Sequence, residues 1–222
     1  MRILAVTPIA VTDSELARRQ QRYDRLAPAN VSVLLHNLGT DPDVPRALEN
    51  DDDVAASEEA VTAWFAAADA QNVDAFLPDC VLDPGVGPGA RTQQRPVLGL
   101  MRLASGFLAA TGASLGAVAR NDAIAAELER KLATYGIGPL HEPVSVLNLS
   151  LAEIADDTAW SASVATALES MSAGYVLNAC SAVNLTGAVN RGPVLVDPTA
   201  LALQLAGLLS HQRDSIPGSV PA

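Results

Sequence analysis

The sequence is short of cysteine, of aromatic residues and of positive charge. Its 222 residues include two cysteines, 4% aromatic residues, and 14 basic against 25 acidic residues, for a net charge of −11. This charge opposes nucleic-acid backbones and anionic membrane surfaces, so we expect neither as a partner. With so few aromatic rings, alanine, leucine and valine must fill the core, and a chain of this length that is 49% hydrophobic can bury a substantial one.

Several functional signals are also missing. No apolar run approaches the ~20 residues that a bilayer span requires, and Met1–Pro8 lacks the charged, apolar and small-residue regions of a signal peptide. Cysteine and histidine do not occur at metal-ligand spacing, so we expect no metal site. The glycine motifs of dinucleotide and phosphate binding are absent too. We therefore expect a cytoplasmic protein with reduced thiols.

The chain does contain a pattern of short apolar strands that occurs twice. In each copy four strands alternate with helical stretches, which predicts parallel sheets built from βαβ units. The paired segments are Arg2–Val6 with Ser114–Ala119, Val31–Leu38 with Val144–Leu149, Val73–Leu77 with Tyr175–Ala179, and Pro96–Leu100 with Pro193–Asp197. We predict an α/β fold with two pseudo-symmetric lobes, each a four-stranded, mainly parallel sheet flanked by helices.

The two cysteines follow the third strand of each copy. Cys80 and Cys180 lie one hundred residues apart, and each ends a short apolar run. A buried structural cysteine is one interpretation and a disulfide is another. Their equivalent positions favour a third, because the carboxyl ends of strands in open α/β folds are where sites form. The pattern indicates one cleft with a sulfur on either side.

The segment around Cys80 carries a family resemblance. DAFLPDCVLDPG, residues 74–85, resembles the first cysteine motif of the aspartate/glutamate/hydantoin racemase superfamily, in its hydantoin (allantoin) racemase branch, and Cys80, Asp83, Pro84 and Gly85 all match. Pro96–Gly99 resembles a later strand of that branch. Tyr175–Ser181 resembles its second cysteine strand, although Ala179 and Ser181 replace the usual glycine and alanine.

The resemblance implies an isomerase, a cofactor-independent racemase or epimerase with its active site between the lobes. Cys80 and Cys180 would act as the catalytic pair, one thiolate removing a proton from a carbon next to a carbonyl and one thiol returning a proton to the opposite face. The substrate would be a 5-substituted hydantoin or a related carbonyl or carboxylate compound. A helix N-terminus directly after each strand would lower the pKa of the thiol and hold the enolate-like oxygen. No metal or organic cofactor is required.

The resemblance also implies an architecture. The first lobe would comprise residues 1–98 and 199–222 and the second residues 99–198, with closure of the lobes on the substrate. We further expect a homo-oligomer, since relatives often assemble as one.

Several residues near the strand ends are candidates for binding the small-molecule substrate. Where the branch usually carries an Asn-Pro-Asn-Thr motif, this chain has Thr7-Pro8-Ile9-Ala10, so only the proline is retained. Arg102, Arg120 and Asn121 follow two other strands. Arginine offers a planar fork of donors suited to a carboxylate, so an anionic substrate stays open; a solvent-facing helix start is the simpler interpretation of each arginine. The full set of candidate binding residues is Thr7, Pro8, Val81, Asp83, Arg102, Arg120, Asn121, Ser181 and Asn184.

Other functions remain open at this point. A maleate-type cis–trans isomerase resembles the same scaffold and also uses two cysteines, one of them as a nucleophile. Arylmalonate decarboxylase keeps only the second cysteine, so Cys80 argues against it. A non-catalytic relative that binds small molecules is the third alternative, favoured by the altered Asn-Pro-Asn-Thr motif.

Overall fold

The computed structural model describes residues 1–39, 41, 43–87, 91–185 and 192–215. The strands are β1 Arg2–Val6, β2 Ser32–His36, β3 Ala75–Pro78, β4 Arg91–Thr92, β5 Arg95–Pro96, β6 Leu115–Ala119, β7 Ser145–Val146, β8 Tyr175–Ala179 and β9 Val194–Val196. The helices are α1 Asp13–Leu26, α2 Asp51–Ala67, α3 Leu100–Ala110, α4 Asp122–Thr134, α5 Leu151–Ile154, α6 Asp157–Leu168 and α7 Pro198–Ser215.

Two parallel sheets form the framework of the molecule. The first has the order β2-β1-β3 and the second the order β7-β6-β8-β9. Strands β3 and β6 are buried along their whole length, which explains why they read as continuous apolar runs rather than as alternating ones. The α/β fold with parallel sheets flanked by helices is confirmed.

The fourth strand position differs between the sheets. In the second sheet β9 pairs with β8 over Val194–Val196. In the first sheet the predicted strand Pro96–Leu100 is reduced to a single parallel bridge between Val97 and Phe76, and Leu98 donates its N–H to the Phe76 carbonyl at 2.8 Å. The strand is short because β4 and β5 form an antiparallel hairpin just before it, and α3 begins at Leu100 just after it.

Most helices begin at a side chain that caps their free N–H groups. Thr12 caps α1, Asn50 caps α2 and Asn121 caps α4, each accepting a backbone N–H two or three residues into the helix. The acidic run Asp51–Asp53 lies in the first turn of α2, at the positive end of the helix dipole. Helix α3 has Gly99 at its N-cap position and so has no side-chain cap of its own.

Among the described residues the core consists of four hydrophobic clusters, and α3 contributes to two of them. Helix α3 has its Leu100 in one buried cluster with β1 and α7, and its Met101, Ala104 and Leu108 in another with β6 and α4. The division into lobes of residues 1–98 with 199–222 and 99–198 stays a prediction. Among the helices in the described part of the chain, none combines the length and hydropathy that crossing a membrane would take.

Candidate active site

Cys80 and Cys180 lie just beyond the carboxyl ends of two parallel strands, β3 in the first sheet and β8 in the second. Both thiols are free, Cys80 buried and Cys180 partly buried. Both line one cavity of about 70 Å³, which we call the thiol cavity. Its wall consists of Pro8, Ile9, Arg19, Ala47, Leu48, Cys80, Val81, Leu82, Arg120, Ile124, Leu151, Ile154, Ala179, Cys180, Ser181 and Ala182. The folding of the chain therefore brings two thiols one hundred residues apart to a single, mainly apolar cavity.

Cys80 is followed by a turn, and the helix that we expected directly after it is not there. Residues 81–87 contain no helix, and the next one along the chain, α3, begins at Leu100. The Leu82 N–H does point at the Cys80 Sγ, with 3.4 Å between N and S. Burial nevertheless raises the pKa of the Cys80 thiol to about 12, assisted by the carboxylates of Asp79 and Asp83. The pKa of the Cys80 thiol is therefore raised, contrary to the lowered pKa that the sequence predicted.

Cys180 is also followed by a turn, over residues 181–183. Burial raises the pKa of its thiol, but the Ala182 N–H and the Arg19 and Arg120 guanidinium groups act in the opposite direction. Nearby charges thus raise the pKa of the Cys80 thiol but lower that of the Cys180 thiol.

Asp83 does not face the thiol cavity but caps a helix. Its buried carboxylate accepts the backbone N–H groups of Met101 at 3.2 Å and Arg102 at 2.8 Å, and the Tyr135 hydroxyl at 2.9 Å. It thereby supplies the N-cap that α3 lacks. Burial raises the pKa of Asp83 to about 6. A Cβ at Gly99 would lie 2.4 Å from Asp83 Oδ2, so the absence of a side chain there lets the carboxylate reach α3.

The rest of the turn after Cys80 is held by an ion pair. Lys131 of α4 binds Glu58 of α2 at 2.9 Å and the Asp83 carbonyl at 3.1 Å. Glu58 in turn accepts the Gly85 N–H at 2.8 Å, and Gly85 has a φ of 75°, a conformation that glycine adopts without strain. The Asp-Pro-Gly segment therefore joins the Cys80 turn to α2, α3 and α4.

Thr7 and Pro8, which directly follow β1, have different surroundings. Pro8 is part of the cavity wall. Thr7 is fully buried, and its hydroxyl donates to the Ile9 carbonyl at 2.8 Å and accepts the Leu38 N–H at 2.9 Å. Thr7 shapes the loop that carries Pro8 and Ile9, and it is not in the described wall of the cavity.

The arginines predicted as anion ligands are engaged with the protein. Arg102 is outside the described cavity wall; its guanidinium donates to the Gly87 carbonyl at 2.8 Å and lies 5.6 Å from the centre of the Tyr135 ring. Arg120 lines the cavity, but its Nη1 binds both carboxylate oxygens of Glu49 at 3.0 Å and its Nη2 donates to the Leu48 carbonyl at 2.8 Å. The neighbouring Asn121 caps α4 and donates to the same Leu48 carbonyl at 2.9 Å. These contacts favour a structural role for Arg102 and Asn121.

Of the two candidate binding residues that follow Cys180, Ser181 is in the cavity wall and Asn184 is not in the described wall. Ser181 lines the cavity and donates its hydroxyl to the Asp79 carbonyl at 2.9 Å, which ties the Cys180 turn directly to the Cys80 turn. Asn184 lies outside the described wall, where it donates to Asp157 at 2.9 Å and accepts from Arg25 at 2.7 Å. Val81 is buried in the wall next to Cys80.

Sequence reasoning missed one charged residue of the cavity, Arg19 of α1. Its Nε binds Glu15 at 2.7 Å and its Nη1 binds Asp79 at 2.9 Å, and Asp79 also accepts the Tyr23 hydroxyl at 2.8 Å. Glu15, Arg19 and Tyr23 recur at a spacing of four, and so lie on one face of the helix. That spacing was the available signal, since polar side chains on the buried face of a helix need partners.

The fold and the site together define a class of protein: a two-lobed α/β protein with a thiol at the carboxyl edge of each parallel sheet. Solved structures with a similar fold match nearly the whole chain. The allantoin racemase from Klebsiella pneumoniae has a TM-score of 0.75 at 19% identity, covering 96% of this chain and 88% of its own. The allantoin racemase from Pseudomonas fluorescens has a TM-score of 0.73 at 19% identity, covering 96% and 92%.

Unliganded arylmalonate decarboxylase is a more distant structural neighbour, with a TM-score of 0.59 at 15% identity, covering 94% of this chain and 92% of its own. In the sequence comparisons, no family model and no curated protein matches the chain. The fold that the resemblance to the aspartate/glutamate/hydantoin racemase superfamily implies is confirmed by these structures.

Proposed function

We propose that this chain is a cofactor-independent racemase or epimerase in which Cys80 and Cys180 move the proton at a carbon next to a carbonyl group. One observation carries the proposal: the two cysteines of the sequence occupy equivalent strand ends and line the same cavity. A base and an acid on opposite faces of one carbon are what inversion of configuration requires.

The proton transfers balance without any further reagent. One cysteine, as thiolate, takes the proton from carbon, and the C–H electron pair moves into the bond to the carbonyl carbon, leaving negative charge on the carbonyl oxygen. The other cysteine, as thiol, gives its proton to the opposite face and becomes the thiolate. Cys180, beside Arg19 and Arg120, is the better thiolate in the resting protein, and Cys80, beside two carboxylates, the better thiol.

The charges around the cavity favour an uncharged carbonyl compound, such as a 5-substituted hydantoin, over a free carboxylate. Arg19 is already paired with two carboxylates and Arg120 with Glu49, and the remaining wall is mainly apolar. Two of the structural neighbours are allantoin racemases. Since ligand pockets commonly measure about 300–1,000 Å³ and the thiol cavity about 70 Å³, substrate entry requires the cavity to widen.

Decarboxylation is the second candidate, supported by the arylmalonate decarboxylase among the structural neighbours. Loss of CO₂ would also leave an enolate for a cysteine to protonate, and a malonate substrate would place a carboxylate in the apolar part of the cavity. Release of CO₂ from an arylmalonate distinguishes this reaction from racemisation.

Solvent exchange on separate enantiomers tests the two-thiol mechanism. Each enantiomer of allantoin, of 5-benzylhydantoin and of aspartate is incubated in D₂O with the wild type, with Cys80→Ser and with Cys180→Ser, and inversion and deuterium uptake are followed by polarimetry and NMR. We expect each serine variant to lose inversion by about 10³-fold, the middle of the range for one acid–base group. Each should still exchange the proton of one enantiomer, and the two variants should prefer opposite enantiomers.

A matched control is Ser161→Ala, a change of similar size on α6 away from the cavity wall, which should leave both rates unchanged. If the wild type inverts a substrate and either serine variant does so equally fast, the two-thiol mechanism is wrong. If the wild type acts on none of the three compounds but binds one of them, the non-catalytic alternative replaces the proposal.

A further inference from the structure

The side chain of Arg19 enters the thiol cavity from a helix that carries neither cysteine. Arg19 lies in α1, is 7% exposed, and is in the cavity wall with Cys80 and Cys180. An arginine at this depth needs partners for all of its N–H groups, because a buried donor without an acceptor is unfavourable.

Two carboxylates fix the orientation of the Arg19 guanidinium. Glu15, one turn earlier in α1, accepts from Nε at 2.7 Å, and Asp79 accepts from Nη1 at 2.9 Å. Asp79 directly precedes Cys80 and is itself held by the Tyr23 hydroxyl at 2.8 Å. The guanidinium plane is therefore set by contacts on both sides before any substrate arrives.

The remaining nitrogen of Arg19, Nη2, makes no hydrogen bond within the described residues, whereas both terminal nitrogens of Arg120 are engaged, with Glu49 and with the Leu48 carbonyl. Ser181 likewise uses its hydroxyl on the Asp79 carbonyl. Of these polar groups in the cavity wall, Arg19 Nη2 is the fixed donor that is free to bind a ligand.

We propose that Arg19 is a catalytic residue whose Nη2–H donates a hydrogen bond to the carbonyl oxygen next to the reacting carbon. The proposal rests on the proposed racemase function. When a cysteine thiolate removes the proton, the electron pair develops as negative charge on that oxygen, and the hydrogen bond strengthens as the charge grows. When the opposite thiol returns a proton to carbon, the charge disappears and the bond weakens again.

Arg19 acts as a donor and keeps its own protons. Burial alone would lower the pKa of its guanidinium, but Asp79 and Glu15 raise it above its ordinary value. Because these two carboxylates already balance its charge, Arg19 suits an oxygen that becomes negative only during the reaction better than one that is negative from the start.

Replacement by lysine separates the hydrogen bond from the charge. Arg19→Lys keeps one positive charge near Cys180 but loses the planar fork that can bind Glu15, Asp79 and substrate together. We expect kcat for inversion of the substrate found active above to fall about 100-fold, as for loss of one oxyanion donor. The KM should stay within about threefold and the pH profile should keep its position, because the interaction is made in the transition state.

The matched control is Arg130→Lys in α4. Arg130 is also ion-paired, with Glu127 at 2.5 Å and Asp51 at 3.5 Å, but it is not in the cavity wall. Its kcat should stay within about threefold of wild type. In a second variant, Arg19→Ala, added guanidinium chloride at a non-denaturing concentration should restore part of the lost kcat, while urea should not. Circular dichroism checks that each variant is folded.

The outcomes separate the two proposals. Equal kcat in Arg19→Lys and Arg130→Lys, or a higher KM with unchanged kcat in Arg19→Lys, overturns the role of Arg19 while leaving the two thiols in place. A wild type that inverts none of the compounds overturns the racemase function itself, before any arginine variant is measured.

Discussion

The turns that follow Cys80 and Cys180 occupy equivalent places in the doubled fold, yet different partners hold them. The Cys80 turn is fixed by its own Asp83, which caps α3, and by Lys131 from α4. Hydrogen bonds from two arginines of α1 hold the Cys180 turn. Arg18 donates to the Ala182 carbonyl, and Arg22 donates to the Val183 carbonyl at 2.9 Å. The carboxylates of Asp79 and Asp83 therefore act on the Cys80 thiol, and guanidinium groups act on the Cys180 thiol.

The difference shows how a repeated fold can give two identical side chains different properties. Burial raises the pKa of both thiols, but nearby acidic groups raise that of Cys80 further while arginines oppose the rise at Cys180. Symmetry of the backbone places the thiols, and asymmetry of the charges distinguishes them.

Removing the Asp83 carboxylate should have the largest effect on this arrangement. In Asp83→Ala the N–H groups of Met101 and Arg102 and the Tyr135 hydroxyl lose their buried acceptor, so we expect the free energy of unfolding to fall by about 3 kcal/mol. Urea denaturation measures it. The control is Asp156→Ala, which removes the exposed N-cap of α6 and should cost about 1 kcal/mol. Equal losses in the two variants would contradict the special role of the Asp83 cap.

The pH dependence of stability should carry a signature of Asp83. Its folded pKa of about 6 lies above the ordinary 3.8, so the folded protein binds more protons than the unfolded chain between these values. Stability from this group is thus greatest at low pH and falls as pH rises from about 4 to above 6, by about 3 kcal/mol. Urea denaturation at several pH values should show that fall in the wild type relative to Asp83→Asn; parallel curves would refute the raised pKa.

Gly99 at the N-cap position of α3 and Gly106 within the helix provide a sharper test of the contact between Asp83 and α3. Gly99→Ala places a Cβ where Asp83 Oδ2 lies and should destabilise the protein by about 2 kcal/mol through loss of the cap. Gly106→Ala, inside the helix with nothing within 4 Å of its Cβ, should stabilise it by about 0.5–1 kcal/mol. Thermal denaturation compares the stability of the two variants. If Gly99→Ala leaves the stability unchanged, the Asp83 carboxylate is not fixed against α3.

The smallest expected effect is a difference in thiol reactivity. Cys180 is more exposed and lies beside Arg19, so iodoacetamide should alkylate it about tenfold faster than Cys80. Mass spectrometry of peptides after timed labelling measures the ratio, and in concentrated urea the two rates should converge. Preferential labelling of Cys80 in the folded protein would reverse the assignment of resting base and acid.

Much of the fold could be predicted because it depends on local pattern. The strands β1, β6 and β8 begin or end within a residue of their predicted bounds, and the order 2-1-3 of the first sheet recurs in the second. The fourth strand of the first sheet was overestimated, because a hairpin and a helix start compete for the same residues.

The surroundings of the cysteines were harder to predict. Asp83 was expected to bind substrate, but its carboxylate caps α3, which starts seventeen residues later. Arg102 lies in the first turn of that helix and is not in the cavity wall. Arg19 was missed because its partner Asp79 lies sixty residues further along the chain. Which way a polar side chain points at a strand end depends on the nearest unpaired backbone group, and packing alone decides which group that is.

The amino-acid sequence by itself determined the doubled α/β pattern and the two thiols at equivalent strand ends, since periodicity and strand-end position are properties of neighbouring residues. Only the tertiary structure decided that the thiols share one cavity, that their pKa values rise, and that Arg19 stands beside them. Burial and electrostatic fields are sums over groups distant in sequence, and no local pattern contains them.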